Sequence, residues 1–265
     1  TDVTTLAAND NIAIGTCAMK GAAATDGVSN IAIGTTAATA LTTGACNVAI
    51  GTNALAKTTT ATMNIAVGFG AMCGVTTLAA NSNVAIGVDA LIGTSATAGN
   101  DNVAVGRLAL TALTTGTTNV AIGLSAADAL TTGSCNTAVG NAALGAATTG
   151  NNNTAYGHGA MSAAVTGNSN IAVGQTSMTA LTTGYQNVAV GINAYATAAA
   201  GYNNVALGNA AMGGSLVTGA SNIAIGTNAA DALLAGACNI AMGQNALGAA
   251  TIGHKNIAIG QLAMS

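Results

Sequence analysis

The chain has 265 residues, of which 51% are apolar, 36 are Gly, none is Pro or Trp, and only 4% are charged. That apolar content excludes the intrinsically disordered class, which is poor in apolar residues and rich in charge. A formal net charge of −3, with Lys20, Lys57, Arg107 and Lys255 as the cations, provides no basic stripe, so no nucleic-acid partner is expected.

The first recognisable element is Asn11-Ile12-Ala13-Ile14-Gly15. This Asn-x-Ala-x-Gly pentad recurs fifteen times, with its asparagines at Asn11, Asn30, Asn47, Asn64, Asn83, Asn102, Asn119, Asn136, Asn153, Asn170, Asn187, Asn204, Asn222, Asn239 and Asn256. Ten of the fourteen steps between them are 17 residues, three are 19 and one is 18. So constant a short period marks a solenoid, in which each coil stacks on the next and no single central core is needed. With each Asn as position 0, positions 1 and 3 are mostly Ile or Val, while 0, 2 and 4 are Asn, Ala and Gly. Period-two alternation over a short β-branched segment predicts a strand, with large side chains on one face and small ones on the other. Backbone can pack closely against the Ala/Gly face. The Asn side chains, one per coil at a fixed corner, are expected to form an amide ladder along the stack.

A second limb follows each pentad. Position 7 is Ala in fourteen copies and Ser177 in the other, and position 8 is often Leu or Met, as at Leu55, Met72, Leu110 and Met212. Five coils add a Leu at position 11: Leu41, Leu113, Leu130, Leu181 and Leu233. The spacing 7, 8, 11 is helical, but only about nine residues lie between the flanking glycines, too few for an autonomous helix. Either a helical turn or a short strand is expected. Gly stands three residues before the Asn in twelve copies, often after Thr-Thr, and reads as a return corner with positive φ. The longer coils place their extra residues late, for example between Met19 and Asn30.

These readings predict an all-β-dominated repeat protein: a parallel β-solenoid, or β-roll, of about fifteen coils of 17–19 residues, each one strand plus a short second limb. Residues 1–265 are expected to form one continuous array, uncapped at both ends. Every apolar run is cut by Asn, Gly or Thr well short of the roughly 18 residues of a membrane-spanning helix, so no membrane insertion is expected. A narrow coil with only Phe69 and four tyrosines for bulk buries few large side chains. Lateral association is expected to complete the core.

The motif Asn-[Ile/Val]-Ala-[Ile/Val]-Gly-x-x-Ala, as in Asn119-Val120-Ala121-Ile122-Gly123-Leu124-Ser125-Ala126, resembles the head repeat of trimeric autotransporter adhesins and is similar to longer-period repeats of phage tail fibres. The resemblance runs through essentially the whole chain. It implies a left-handed parallel β-roll, usually trimeric, displayed outside a cell or virion.

Catalysis requires convergent polar groups, and coil number gives each residue its height in the stack. His158 and His254 lie six coils apart, about 29 Å at one strand spacing per coil. Asp128 and Asp231 share position 9 but are also six coils apart, and the calcium-binding Gly-Gly-x-Gly-x-Asp repeat is absent. Cys46, Cys135 and Cys238 each precede an Asn, too many coils apart for a disulfide, and no Cys-x-x-Cys spacing occurs. No catalytic residues, cofactor or metal ligands are therefore expected. Tyr185 and Tyr202 share the position two before the Asn and are expected to stack as an aromatic ladder with Tyr195 nearby; simple packing outweighs a glycan platform. The Thr-Thr corners suggest an ice-binding array, but only about half the coils carry the pair.

The composition and pattern point to a structural subunit of an extracellular fibre or filament, whose partner is itself, laterally, head to tail, or both. The alternative is an adhesive head or receptor-binding tail-fibre shaft that binds a host or cell surface. An enzyme is disfavoured because the clustered acids of catalytic β-helices are missing.

Overall fold

The computed structural model describes residues 3–4, 10–21, 27–74, 80–93, 99–214, 216–249 and 252–265. The chain divides into two compact units, Thr1–Cys135 and Asn136–Ser265.

In the first unit the strands are β1 (Val3–Thr4), β2 (Ile12–Ile14), β3 (Ile31–Ile33), β4 (Val48–Ile50), β5 (Ile65–Val67), β6 (Val84–Ile86), β7 (Val103–Val105) and β8 (Val120–Ile122). From β2 onward each strand is the middle of one pentad and pairs in parallel with the next, Ala opposite Ala at every step. β1 is the exception: it runs antiparallel to β2, with Val3 opposite Ile14 and Thr4 opposite Ala13. The first rung, expected from the sequence to be open, thus has a strand laid along part of it.

The second unit contains β9 (Thr137–Val139), β10 (Thr154–Tyr156), β11 (Ile171–Val173), β12 (Val188–Val190), β13 (Val205–Leu207), β14 (Ile223–Ile225), β15 (Ile240–Met242) and β16 (Ile257–Ile259). They follow the same parallel, in-register order. The predicted β-solenoid is therefore observed in each unit, built from every pentad.

The two strand faces have opposite fates. The central Ala of every pentad is buried, from Ala13 to Ala258, whereas Ile12, Ile50, Ile86, Ile171 and Ile223 at positions 1 and 3 are exposed. A coil of some 17 residues encloses little space, so the methyl side chains point inward and the branched ones outward. Inside, the Ala of position 7 meets the large residue of position 8 or 11. Where position 8 is Ala, as at Ala38, Ala127 and Ala230, the buried Leu41, Leu130 and Leu233 at position 11 supply the volume. Elsewhere Leu55, Met72, Leu144 or Met161 fills the coil from position 8. Among the described residues two coils bury a large residue at both positions, Leu110 with Leu113 and Met178 with Leu181. The buried Ser177, standing in for Ala at position 7, donates its hydroxyl to the Gly174 carbonyl at 3.1 Å.

The second limb is neither of the forms expected. Apart from a short 3₁₀ turn at 20–21, its described residues are a succession of turns. At positions 6 and 8 the backbone is left-handed, for example Asn53 (φ 60) and Leu55 (φ 53), or Thr36 (φ 56) and Ala38 (φ 48). Among the described residues 43 non-glycines have positive φ, each costing about 1–2 kcal/mol for an L-residue. Such a density needs systematic compensation, and hydrogen bonds along the stack supply it. The Thr36 N–H donates to the Thr16 carbonyl of the preceding coil and the Ala38 N–H to the Ala54 carbonyl of the following one, both at 2.9 Å. The left-handed residues thus turn their amides along the stack axis. Helical spacing of Ala37, Ala38 and Leu41 reflects this inward turn, not a helix.

The return corner needs a second correction. Its glycines, such as Gly44 and Gly116, are not among the positive-φ residues. They are required by space: a Cβ on either would lie 2.2 Å from the carbonyl oxygen of the next coil, Ala61 or Gly133. Positive φ belongs instead to the glycine that closes each pentad, with φ between 123 and 141, a region that side chains do not enter. The residue just before each Asn is also left-handed, as at Ser29, Cys46 and Asn152.

Candidate functional site

Three columns of side chains run along each unit, and each has its own chemistry. The first is the asparagine ladder. Asn30 donates both its N–H (2.8 Å) and its Nδ2 (3.1 Å) to Asn11 Oδ1, and the same Nδ2 donates to the Gly44 carbonyl at 2.9 Å. Asn47 repeats this on Asn30 and the Ala61 carbonyl. In the second unit, Asn187, Asn204, Asn222, Asn239 and Asn256 continue in the same way on the Asn before them. Both lone pairs of an interior Oδ1 and both hydrogens of its Nδ2 are then used, which is the full capacity of a primary amide. The column is buried from Asn11 to Asn239, with only Asn256 partly exposed. Among the described residues no buried side-chain polar atom lacks a partner. The ladder closes each coil by tying the strand corner to the return corner.

The second column lies two residues before the Asn, and its polar members went unread in the sequence. The Asn81 N–H donates to Asn100 Oδ1 at 2.8 Å, Thr62 N–H to Asn81 Oδ1 at 2.8 Å, and Asn151 N–H to Asn168 Oδ1 at 2.7 Å. These bonds run opposite in direction to the main ladder, from one coil to the side chain of the next. His254 belongs here: its Nδ1 accepts the Ala237 N–H at 3.0 Å. The run of Thr62, Asn81, Asn100, Thr117, Ser134, Asn151 and Asn168 at one position was the available signal. Tyr185 and Tyr202 follow in this column, and their rings stack with centroids 5.0 Å apart and planes 6° from parallel. The pair is about 40% exposed (42% and 39%). Tyr195 does not join them. It stands at position 8, fully buried inside its coil, because the alternation of the second limb turns that position inward.

The third column is the outward strand face. Positions 1 and 3 carry Ile or Val in every coil from β2 to β8. In the second unit the exceptions are Thr137, Thr154, Tyr156, Leu207 and Met242. No charged residue stands at either position. At position 5 beside it lie the exposed Phe69, Val88, Leu124 and Ile192.

The titratable groups do not converge. Among the described residues no group of three or more His, Cys, Asp or Glu could hold a metal ion, and His158 stands exposed on a different coil from His254. All five cysteines are free. Four sit at left-handed corners: Cys17 at position 6, and Cys46, Cys135 and Cys238 just before an Asn. Burial, and next the Asp89 carboxylate, push the half-buried Cys73 thiol above its ordinary pKa. The Asp128 carboxyl is also raised, chiefly by desolvation, against a lowering hydrogen bond from Ser125. At the Thr-Thr corners the first hydroxyl is used internally, Thr42 and Thr114 each donating Oγ1 to a carbonyl of the next coil, Thr59 at 3.0 Å and Thr131 at 2.9 Å, while the second, as at Thr43 and Thr115, is exposed. Among the described residues no helix is long and apolar enough to cross a membrane.

Compared with known proteins, the chain matches no protein-family model and no curated protein sequence.

Proposed function

We propose that this chain is a structural subunit of an extracellular fibre, self-associating through its outward strand face and carrying out no catalysis. The observation that supports this most is that face itself: regular rows of Ile and Val, free of charge, on a chain with only 4% charged residues. Seven pentad strands in the first unit and eight in the second, at ~4.8 Å and three to four residues wide, present on the order of 350–500 Å² per unit. A patch of that size falls within the roughly 300–600 Å² of the largest apolar patch on a typical monomer, a patch that is often functional. A second copy of the chain fits best, because its rows have the same pitch automatically. Thr and Asn corners keep the assembled fibre wettable, and exposure outside a cell or virion follows the adhesin and tail-fibre resemblance.

Sedimentation with negative-stain microscopy tests the reading. Assemblies wider than one chain are expected at micromolar concentration, and Ile86→Lys with Ile171→Lys should disperse them to monomers with an unchanged circular dichroism spectrum. A parent chain that sediments as a stable monomer refutes the proposal.

The Tyr185–Tyr202 stack supports one alternative, an adhesive head. Parallel exposed rings offer an apolar platform of the kind that sugar rings cover. Glycan-array binding abolished by Tyr202→Ala would favour this role; a blank array would remove it.

A further inference from the structure

The outward rows of the second unit are interrupted at two adjacent coils, β9 and β10. Of the fifteen residues at position 1, thirteen are Ile or Val; the two others are Thr137 and Thr154, on adjacent strands β9 and β10. Of the fifteen at position 3, fourteen are aliphatic or Met; the one aromatic is Tyr156, on β10 itself. Thr154 pairs with Thr137 across the sheet, and Tyr156 lies between Val139 and Val173. Tyr156 is 58% exposed while both valines are half-buried, so its ring stands above the row. A protruding knob with a hydroxyl and two smaller, hydroxyl-bearing seats, one on its own coil and one on the coil before, therefore interrupt an otherwise aliphatic surface.

We propose that Tyr156, Thr154 and Thr137 set the register of self-association, the tyrosine of one copy seating against the threonines of a second copy aligned parallel and level with it. This rests on the self-association proposed above and adds its alignment. A uniform Ile/Val face has the same pitch at every coil, so it allows copies to slip by whole coils with little change in contact. Slippage by one coil leaves one of the two Tyr156 hydroxyls facing aliphatic rows, and a longer slip leaves both so placed, and buried hydroxyls without partners are strongly disfavoured. Level alignment sets the Tyr156 hydroxyl of each copy against Thr154 of the other, on the same coil, and gives the ring a space that Ile or Val would fill. One polar layer in an apolar interface fixes register in coiled coils by the same logic.

Disulfide trapping between copies tests this in a chain whose five cysteines are replaced by Ser. Two differently tagged chains are mixed, one carrying Ile223→Cys and the other either Ile225→Cys, on the same coil, or Met242→Cys, one coil further on. Level alignment predicts that the Ile223/Ile225 pair crosslinks at least about tenfold more than the Ile223/Met242 pair, since one unpaired buried hydroxyl suffices for such a bias. Tyr156→Val, which installs the residue that both neighbouring coils carry there, should bring the ratio towards one while assembly persists in sedimentation. Assembly without a same-coil preference in the parent, or an unchanged preference in Tyr156→Val, overturns the register proposal and leaves self-association standing. A monomeric parent in sedimentation overturns both.

Discussion

Tyr195 Oη, enclosed inside its coil, accepts a hydrogen bond from Asn204 Nδ2 at 2.7 Å. Asn204 also donates to Asn187 Oδ1 at 3.3 Å and to the Gly219 carbonyl at 2.9 Å, so the phenol is an additional acceptor on a saturated amide. The bulkiest core side chain is thus tied to the ladder that closes the coil.

Tyr195→Phe should therefore cost only about 1 kcal/mol, since the amide keeps its other acceptors. A larger difference appears in alkali. Burial raises the Tyr195 pKa from its ordinary 10.0, against the lowering effect of the Asn204 bond. A raised folded-state pKa contributes stability that is complete below the unfolded value and is lost as pH climbs above it. Urea midpoints are expected to fall between pH 10 and 12 in the parent, and to fall less in Tyr195→Phe. Parallel curves for the two would show that Tyr195 ionises as freely folded as unfolded.

Removing one rung of the ladder should be costly. Asn153 Oδ1 accepts both the N–H and Nδ2 of Asn170, and its own Nδ2 donates to the Gly167 carbonyl at 2.9 Å. Asn153→Ala leaves a buried N–H and a buried carbonyl unpaired, for a loss of roughly 2–4 kcal/mol. Denaturant titration checks it, and an unchanged midpoint would mean that the ladder contributes nothing.

Backbone handedness gives two opposed outcomes. Gly174 has φ 130, and a Cβ there would lie 2.5 Å from the Gly191 carbonyl oxygen. Gly174→Ala should destabilise by roughly 3 kcal/mol or more. Ala142, at φ 51, occupies the position that Gly70 and Gly159 fill in other coils. Ala142→Gly should stabilise by about 0.5–1 kcal/mol, relief of left-handed strain outweighing the added chain entropy. Thermal midpoints that move the same way for both changes would contradict the assignment.

Cysteine labelling follows burial and charge. With its thiol pKa raised, Cys73 holds less thiolate at a given pH than an unperturbed thiol. Maleimide or iodoacetamide should modify it more slowly than the exposed Cys17, Cys46, Cys135 and Cys238, and its rate should keep rising to higher pH. Asp89→Asn should accelerate it. Peptide mapping after timed labelling reads all five sites, and equal rates would show that neither burial nor Asp89 acts on the thiol.

The sequence by itself determined the strands, their parallel stacking and the amide ladder. Each rests on local alternation or on a constant interval, as from Asn30 to Asn47, and a solenoid converts sequence interval directly into spatial neighbourhood. It also placed Tyr185 against Tyr202, since residues in one column of adjacent coils must stack. Only the tertiary structure decided which face of the strand points inward: alternation separates Ala49 from Val48 and Ile50, but the narrowness of the closed coil is what turns the alanine in and the branched residues out. It likewise decided the second limb. Nothing in Leu55, Met72 or Leu110 favours positive φ; they adopt it because hydrogen bonds to the coils on either side outweigh the local cost. The return-corner glycines were legible but for the wrong reason, because the carbonyl that crowds Gly44 belongs to Ala61, on the next coil. Intrinsic propensity describes a residue with its sequence neighbours, and in this fold the deciding contacts are made a whole coil away.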